Sequence, residues 1–162
     1  MYIKYIKKNI NYKPKIVLYE PEIPNNVGAI IRTCHCLALE LILIEPLGFI
    51  MQDRELKRAA MDYKPVITII KSIGDFLNIY SNYRKILFTP HTSFSIETFQ
   101  KSYMNTPSSY YGDLLIFGRE SNGMEQDIVN YMDLLVSLPM TPDIRSFNLS
   151  VSVSMASTCL LV

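Results

Sequence analysis

The chain has 162 residues, the size of a single domain, and 49% are hydrophobic, so a sizeable core can be buried. A net charge of +1 attracts no polyanion through the overall field, and no apolar run approaches the roughly 18 residues that a membrane span needs. Three cysteines, an odd number in a chain this long, argue against a disulfide framework and for a reduced, cytoplasmic setting.

The charge is unevenly placed. The first 19 residues carry five lysines (Lys4, Lys7, Lys8, Lys13 and Lys15) and no acid, whereas the remainder holds 11 basic and 15 acidic residues. A nucleic-acid partner would therefore have to be held by local patches. Residues 1–15 read as a basic extension, either a solvated terminus or a phosphate-contacting arm. They lack the apolar stretch and small-residue cleavage site of a secretory signal, so none is expected.

Short β-branched runs alternate with helical patterns, which predicts an α/β fold with a mainly parallel sheet flanked by helices. The first strand is expected over 16–19. Pro24-Asn25-Asn26 breaks the chain, and from Asn26 the apolar positions Val27, Ile30, Ile31, Cys34, Leu37 and Ala38 recur at helical spacing. Asn25 or Asn26 is placed to cap that helix. A strand over 41–44 and a turn over 45–49 follow. The pattern then predicts a helix over 53–61 with Asp53 at its start, a strand over 66–70, and a helix from residue 72 or 74 to 83. A strand over 85–89 stops at Pro90. Residues 102–112 are polar and turn-rich and read as a loop. The clearest buried strand is 113–117. A turn over 118–123 leads into a short helix to about residue 131, a strand over 134–138 stopped by Pro139, and a last helix from residue 146 to the end.

Three segments combine chemistry with a break in structure. In the first, Gly28 removes a side chain one turn ahead of Arg32, so another backbone or a ligand can come close. Arg32 projects past that gap, where a guanidinium can grip an RNA phosphate with two parallel hydrogen bonds. Taken alone, such an arginine is more often an ordinary exposed surface residue. In the second, the buried strand runs into Gly118-Arg119-Glu120-Ser121-Asn122-Gly123, and open α/β sheets bind ligands beyond the carboxyl ends of their strands. Gly118 and Gly123 have phosphate-loop spacing, but Met124-Glu125 replaces the required Lys and Ser/Thr, which excludes a nucleoside triphosphatase of that kind. Glu120 can orient Arg32 or a backbone segment; a plain turn with Asn122 capping a helix is the simpler reading. In the third, Pro139 and Pro142 stiffen a loop that reaches Arg145-Ser146-Phe147-Asn148-Leu149-Ser150. Ser146 or Asn148 can cap the last helix, and free N–H groups there can hold a small ligand such as a methyl donor.

Other candidates carry less. Cys34-His35-Cys36 looks like a metal tract, but helical neighbours two apart point to different sides, so no metal site is expected. His91 sits beside Pro90 at a strand end, a loop position suited to ligand contact. Arg54, Lys57 and Arg58 share one helical face, either simply solvated or the RNA footprint of the domain body.

In this order and spacing, segments 18–32, 43–49, 53–63, 113–123 and 138–150 closely resemble the motifs of the SpoU (SPOUT-class) RNA methyltransferases, over roughly residue 16 to the end. Within that class the likeness is to the branch that modifies the wobble nucleotide of tRNA. The resemblance implies a deep trefoil knot in the C-terminal third, a homodimer whose site is completed across the interface, and S-adenosyl-L-methionine held in the knot largely by backbone. Carried over by motif, the donor contacts are Thr89, with Pro90 and His91 beside it, Gly118, Leu138, Met140, Ser146 and Leu149. Arg32 matches the catalytic arginine, with Asn25, Glu120 and Asn148 as supporting polar residues and Gly28 beside them. Arg145 joins Arg54, Lys57 and Arg58 as a candidate RNA contact.

The activity so implied is 2′-O-methylation of the ribose of nucleotide 34, cytidine or uridine, in tRNA. A 2′-hydroxyl is a poor nucleophile, so its proton must leave as the oxygen attacks the sulfonium methyl. The resemblance offers the arginine as a general base; a guanidinium is better suited to positioning and to stabilising a developing alkoxide. Competing readings are the same chemistry on another RNA, such as ribosomal RNA, and a non-catalytic dimeric RNA-binding relative.

Overall fold

A computed structural model describes residues 13–103, 111–141 and 143–161. Lys4, Lys7, Lys8, Pro142 and residues 104–110 of the expected loop lie outside the described residues. The elements run β1 (Lys15–Tyr19), α1 (Pro24–Leu37), β2 (Leu41–Ile44), α2 (Arg54–Ala60), β3 (Ile67–Ile70) and α3 (Ile73–Ile79). They continue with β4 (Arg84–Phe88), α4 (Ile96–Tyr103), β5 (Asp113–Phe117), α5 (Gln126–Val129), β6 (Leu134–Val136) and α6 (Leu149–Leu161).

The strands form one sheet in the order β3-β2-β1-β5-β4-β6, and every ladder between them is parallel. Parallel sheets are covered on both faces, which is why the central strands are nearly continuous apolar runs. Alternate residues serve opposite sides. Ile16, Leu18, Leu43, Phe88 and Phe117 face a core with α1, α2, α4 and α6. Val17, Ile42, Leu87 and Ile116 face a second core with Phe76 of α3 and Ile128 of α5. Among the described residues the one acid wholly inside, Asp113, takes two parallel hydrogen bonds from Arg84, at 2.7 and 3.0 Å.

Since all strands point one way, their carboxyl ends share one edge. Leu18 and Phe88 both stand level with Phe117, and Phe88 with Val136. The loops after β1, β4, β5 and β6 therefore emerge side by side.

The structure corrects several expectations. Pro24 does not break the chain but opens α1, where its missing N–H costs nothing; Ile23 is the N-cap, and neither Asn25 nor Asn26 caps the helix. A helix, α4, fills a stretch where no element is expected from the sequence; Ser95 Oγ accepts the Thr98 N–H at its start. α3 stops at Ile79 rather than near Tyr83. β6 ends at Val136 because the Ser137 N–H turns to the Phe94 carbonyl. Asn148, not Ser146, caps α6 by accepting the Ser150 N–H at 2.9 Å. Asp53 caps α2 as expected, accepting from Glu55 and Leu56.

Candidate functional site

The loops after β1 and β5 are stitched together by reciprocal hydrogen bonds. Glu120 accepts the Glu22 N–H at 2.8 Å and the Ile23 N–H at 3.3 Å. Glu22 returns the favour to the other loop, accepting the Ser121 N–H and the Ser121 hydroxyl, each at 2.8 Å. Of the two roles open to Glu120, the structure selects the backbone: its carboxylate holds the entry to α1 and forms no ion pair with Arg32 among the described residues.

The third segment joins through Asn26. Its amide donates to Glu120 at 3.0 Å, and its carbonyl oxygen accepts the Asn148 amide at 2.8 Å. Asn26 is buried, which explains why both ends of its side chain are matched. It is Asn26 that joins the three segments; Asn25, the expected supporting residue, is exposed on the first turn.

A second network, unforeseen from sequence, lies on the opposite face of the same loops. The Arg119 guanidinium donates to Glu20 Oε2 at 2.8 and 2.5 Å, lies 2.6 Å from Glu125 Oε1, and covers the Tyr19 ring at 5.1 Å. The Tyr19 hydroxyl donates to Glu125 at 2.9 Å. Burial first, then the hydrogen bonds to Glu125 and Glu20, push the Tyr19 phenol well above its ordinary value. Burial weighs against the Arg119 cation, yet the hydrogen bond and charge of Glu20 outweigh it and hold the guanidinium above its ordinary value. Burial likewise weighs against the Glu125 charge; its own N–H, Tyr19 and Arg119 prevail and lower that carboxyl. Glu20 itself sits at a positive φ of 46°, a conformation held by this clamp and by its N–H bond to Ile44.

Gly118 and Gly123 close the β5 loop. Arg119 and Gly123 exchange both backbone hydrogen bonds, and a Cβ on Gly118 would lie 2.5 Å from the Gly123 carbonyl carbon. Gly123 has φ +70°, which a side chain would resist. Gly28 serves helix packing: a Cβ there would meet Ala59 Cβ at 2.5 Å. Between the two options read from sequence, the close neighbour is therefore another helix.

Thr89, Pro90 and His91 follow β4, which neighbours β5, and Leu138 and Met140 follow β6, one strand further out. Thr89 Oγ1 accepts the His91 N–H at 3.3 Å. Met140 lines a cleft of about 450 Å³ with Pro139, Thr141, Ile144 and Phe147. Of the expected donor contacts, Met140 alone is among the residues lining this cleft. Ser146 is exposed beside the cleft wall, and Leu149 is buried at the start of α6.

Arg32 is exposed on α1 and borders another cleft of about 450 Å³ with Ala29, Thr33, Ala59 and Thr158. Arg54, Lys57, Arg58 and Arg145 are all exposed. Among the described residues, no three His, Cys, Asp or Glu side chains are grouped to hold a metal.

The chain is similar to known proteins. The tRNA (cytidine(34)-2′-O)-methyltransferase of Escherichia coli (strain K12) is 37% identical over 143 residues, covering 86% of each chain. A solved structure giving insight into 2-OH methylation of C/U34 on tRNA aligns with a TM-score of 0.80 at 32% identity, over 92% of this chain and 94% of the other. The SpoU methyltransferase AviRb from Streptomyces viridochromogenes, solved with AdoMet, shares the fold at 17% identity (TM-score 0.77, 92% of this chain, 57% of that one). Residues 13–158 match the SpoU rRNA Methylase family from β1 to within α6, and the chain belongs to that family.

Proposed function

We propose that the protein is an S-adenosyl-L-methionine-dependent tRNA 2′-O-methyltransferase acting on the ribose of nucleotide 34, and that it works as a homodimer. The reading is carried by the hydrogen-bonded chain Glu120–Asn26–Asn148, which draws three loops together at the carboxyl edge of the sheet. The names of its relatives support the substrate. The C-terminal trefoil knot belongs to the same proposal; α6 returns to pack on α1, where Thr33 and Ser154 hydroxyls meet at 3.2 Å.

When bound, the donor supplies a sulfonium methyl group. Thr89, Gly118, Leu138, Met140, Ser146 and Leu149 are the residues assigned to hold it, with Pro90 and His91 beside them. Arg32 carries a planar guanidinium with five donors and no acceptor. It therefore steadies the alkoxide that develops on the ribose oxygen and grips the adjoining phosphate. Glu120 and Asn148 act through Asn26, fixing the start of the helix that carries Arg32. The exposed Arg54, Lys57, Arg58 and Arg145 supply phosphate contacts outside the site.

The test is incubation of the protein with donor and total tRNA, followed by mass-spectrometric mapping of the methylated nucleotide. A 2′-O-methyl group on nucleotide 34 is expected. Methylation confined to ribosomal RNA, or donor binding without transfer to any RNA, would overturn the assignment.

A further inference from the structure

Arg32 is exposed, and a long flexible cation loses entropy when it must hold one geometry. One ring supplies the constraint. Arg32 Cζ lies 5.6 Å from the centroid of the Tyr63 ring, within reach of cation–π attraction. Tyr63 is itself held. It is half-buried, and its ring centroid is 5.0 Å from that of His35, with the planes tilted by 53°. Arg32 and His35 lie three residues apart on one face of α1, so the ring spans both. Tyr63 reaches that face because Met61, the C-cap that follows α2, has φ 58° and turns the chain back, and the Tyr63 N–H bonds to the Ala60 carbonyl at 3.3 Å. The close approach of Gly28 to Ala59 sets the spacing between α1 and α2.

We infer that Tyr63 is a positioning residue for methyl transfer: its ring, lodged against His35, holds the Arg32 guanidinium in one orientation toward the ribose. The inference rests on the reading of Arg32 as the charge-stabilising group of an RNA methyltransferase. It assigns the role to the aromatic face and none to the phenol hydroxyl.

The test compares wild type, Tyr63→Leu, Tyr63→Phe, Arg32→Ala and the double variant Arg32→Ala/Tyr63→Leu in the full chain. Transfer to tRNA is measured under single and multiple turnover, with donor affinity by calorimetry. Tyr63→Leu lowers kcat about tenfold, the scale of a lost cation–π contact, while KM for tRNA and donor affinity stay within about twofold. Tyr63→Phe restores kcat, and in the Arg32→Ala background Tyr63→Leu adds no further loss. Normal kcat in Tyr63→Leu with an inactive Arg32→Ala would overturn the inference and leave the proposed function standing. Wild-type transfer by Arg32→Ala would instead overturn the reading beneath it. A Phe variant as impaired as the Leu variant, or a Leu variant that loses donor affinity along with kcat, would also overturn the inference.

Discussion

Asn148, at the head of the last helix, donates its side-chain amide to Asn26 in the first helix over 2.8 Å. Asn26 in turn donates to Glu120, so removing it takes one hydrogen bond from each of two other segments, while Glu120 keeps the Glu22 and Ile23 N–H groups. Asn26→Ala should cost about 1–3 kcal/mol in urea denaturation, the scale of two lost hydrogen bonds, one of them to a carboxylate. It should also reduce transfer, since the entry to the Arg32 helix loosens. Asn26→Asp, which sets a second carboxylate against Glu120, should be worse at neutral pH. Unchanged stability and activity in both variants would show that the chain of bonds does not hold the site.

Glu125 gives the network around Arg119 a pH signature. Its carboxyl is lowered from the ordinary 4.5 despite the opposing effect of burial, by its own N–H, Tyr19 and Arg119. The stability this adds is complete above 4.5 and is lost as pH falls through the lower folded value. Urea melts between about pH 6 and about pH 3 should therefore decline more steeply for the wild type than for Glu125→Gln. The difference should be small, because the Glu125 side chain is 46% exposed. Parallel curves would contradict the assignment.

Three glycines should respond differently to alanine. At Gly28 the added Cβ meets Ala59 Cβ at 2.5 Å and the Leu56 carbonyl at 2.7 Å, and at Gly118 it meets Gly123 backbone at 2.5 Å. Each substitution should cost about 1–3 kcal/mol through overpacking. At Gly74 the nearest atom is 3.8 Å away, and the alanine should raise stability by a few tenths up to about 1 kcal/mol. Thermal melts of the three variants distinguish these outcomes; a destabilised Gly74→Ala would count against the geometry.

The adjacent cysteines should differ in reactivity. Burial pushes the Cys34 thiol up to about 12, whereas Cys36 is exposed. Iodoacetamide at about pH 8 should label Cys36 in the native protein and Cys34 only after denaturation, as peptide mass spectrometry would reveal. The stability gained by keeping Cys34 neutral is full below its ordinary 9.0 and drains away as pH rises toward about 12. Equal labelling of both thiols in the folded state would refute this.

The strands were the most legible part of the sequence, because a strand covered on both faces is a nearly continuous apolar run, as Ile16–Tyr19 within β1 and Leu114–Phe117 within β5 are. α4 was harder: Ile96 and Phe99 are its buried apolar residues, and its local mark, Ser95 with Thr98, is a weak one. The α1 cap misled because Asn25 and Asn26 have cap chemistry, yet Pro24 ahead of them was already helical. The order of the motifs singles out Arg32, Glu120 and Asn148, and the structure joins the last two through Asn26. Arg119 was not legible, since its partner Glu20 is 99 residues away and nothing local marks the pair. The Tyr63 contact was hidden for the same reason: it depends on how one helix turns back onto another.

An all-parallel sheet also sets the order in which the protein can be completed. β1 pairs with β2 on one side and with β5 on the other. Synthesis proceeds at roughly 5–20 residues per second, so several seconds separate the appearance of these two partners. During that interval one edge of an apolar central strand has no native neighbour and invites mispairing. The nascent chain is thus most in need of chaperone cover before residue 113 emerges. The loops that follow β5 and β6 cannot take their places until that seam has closed.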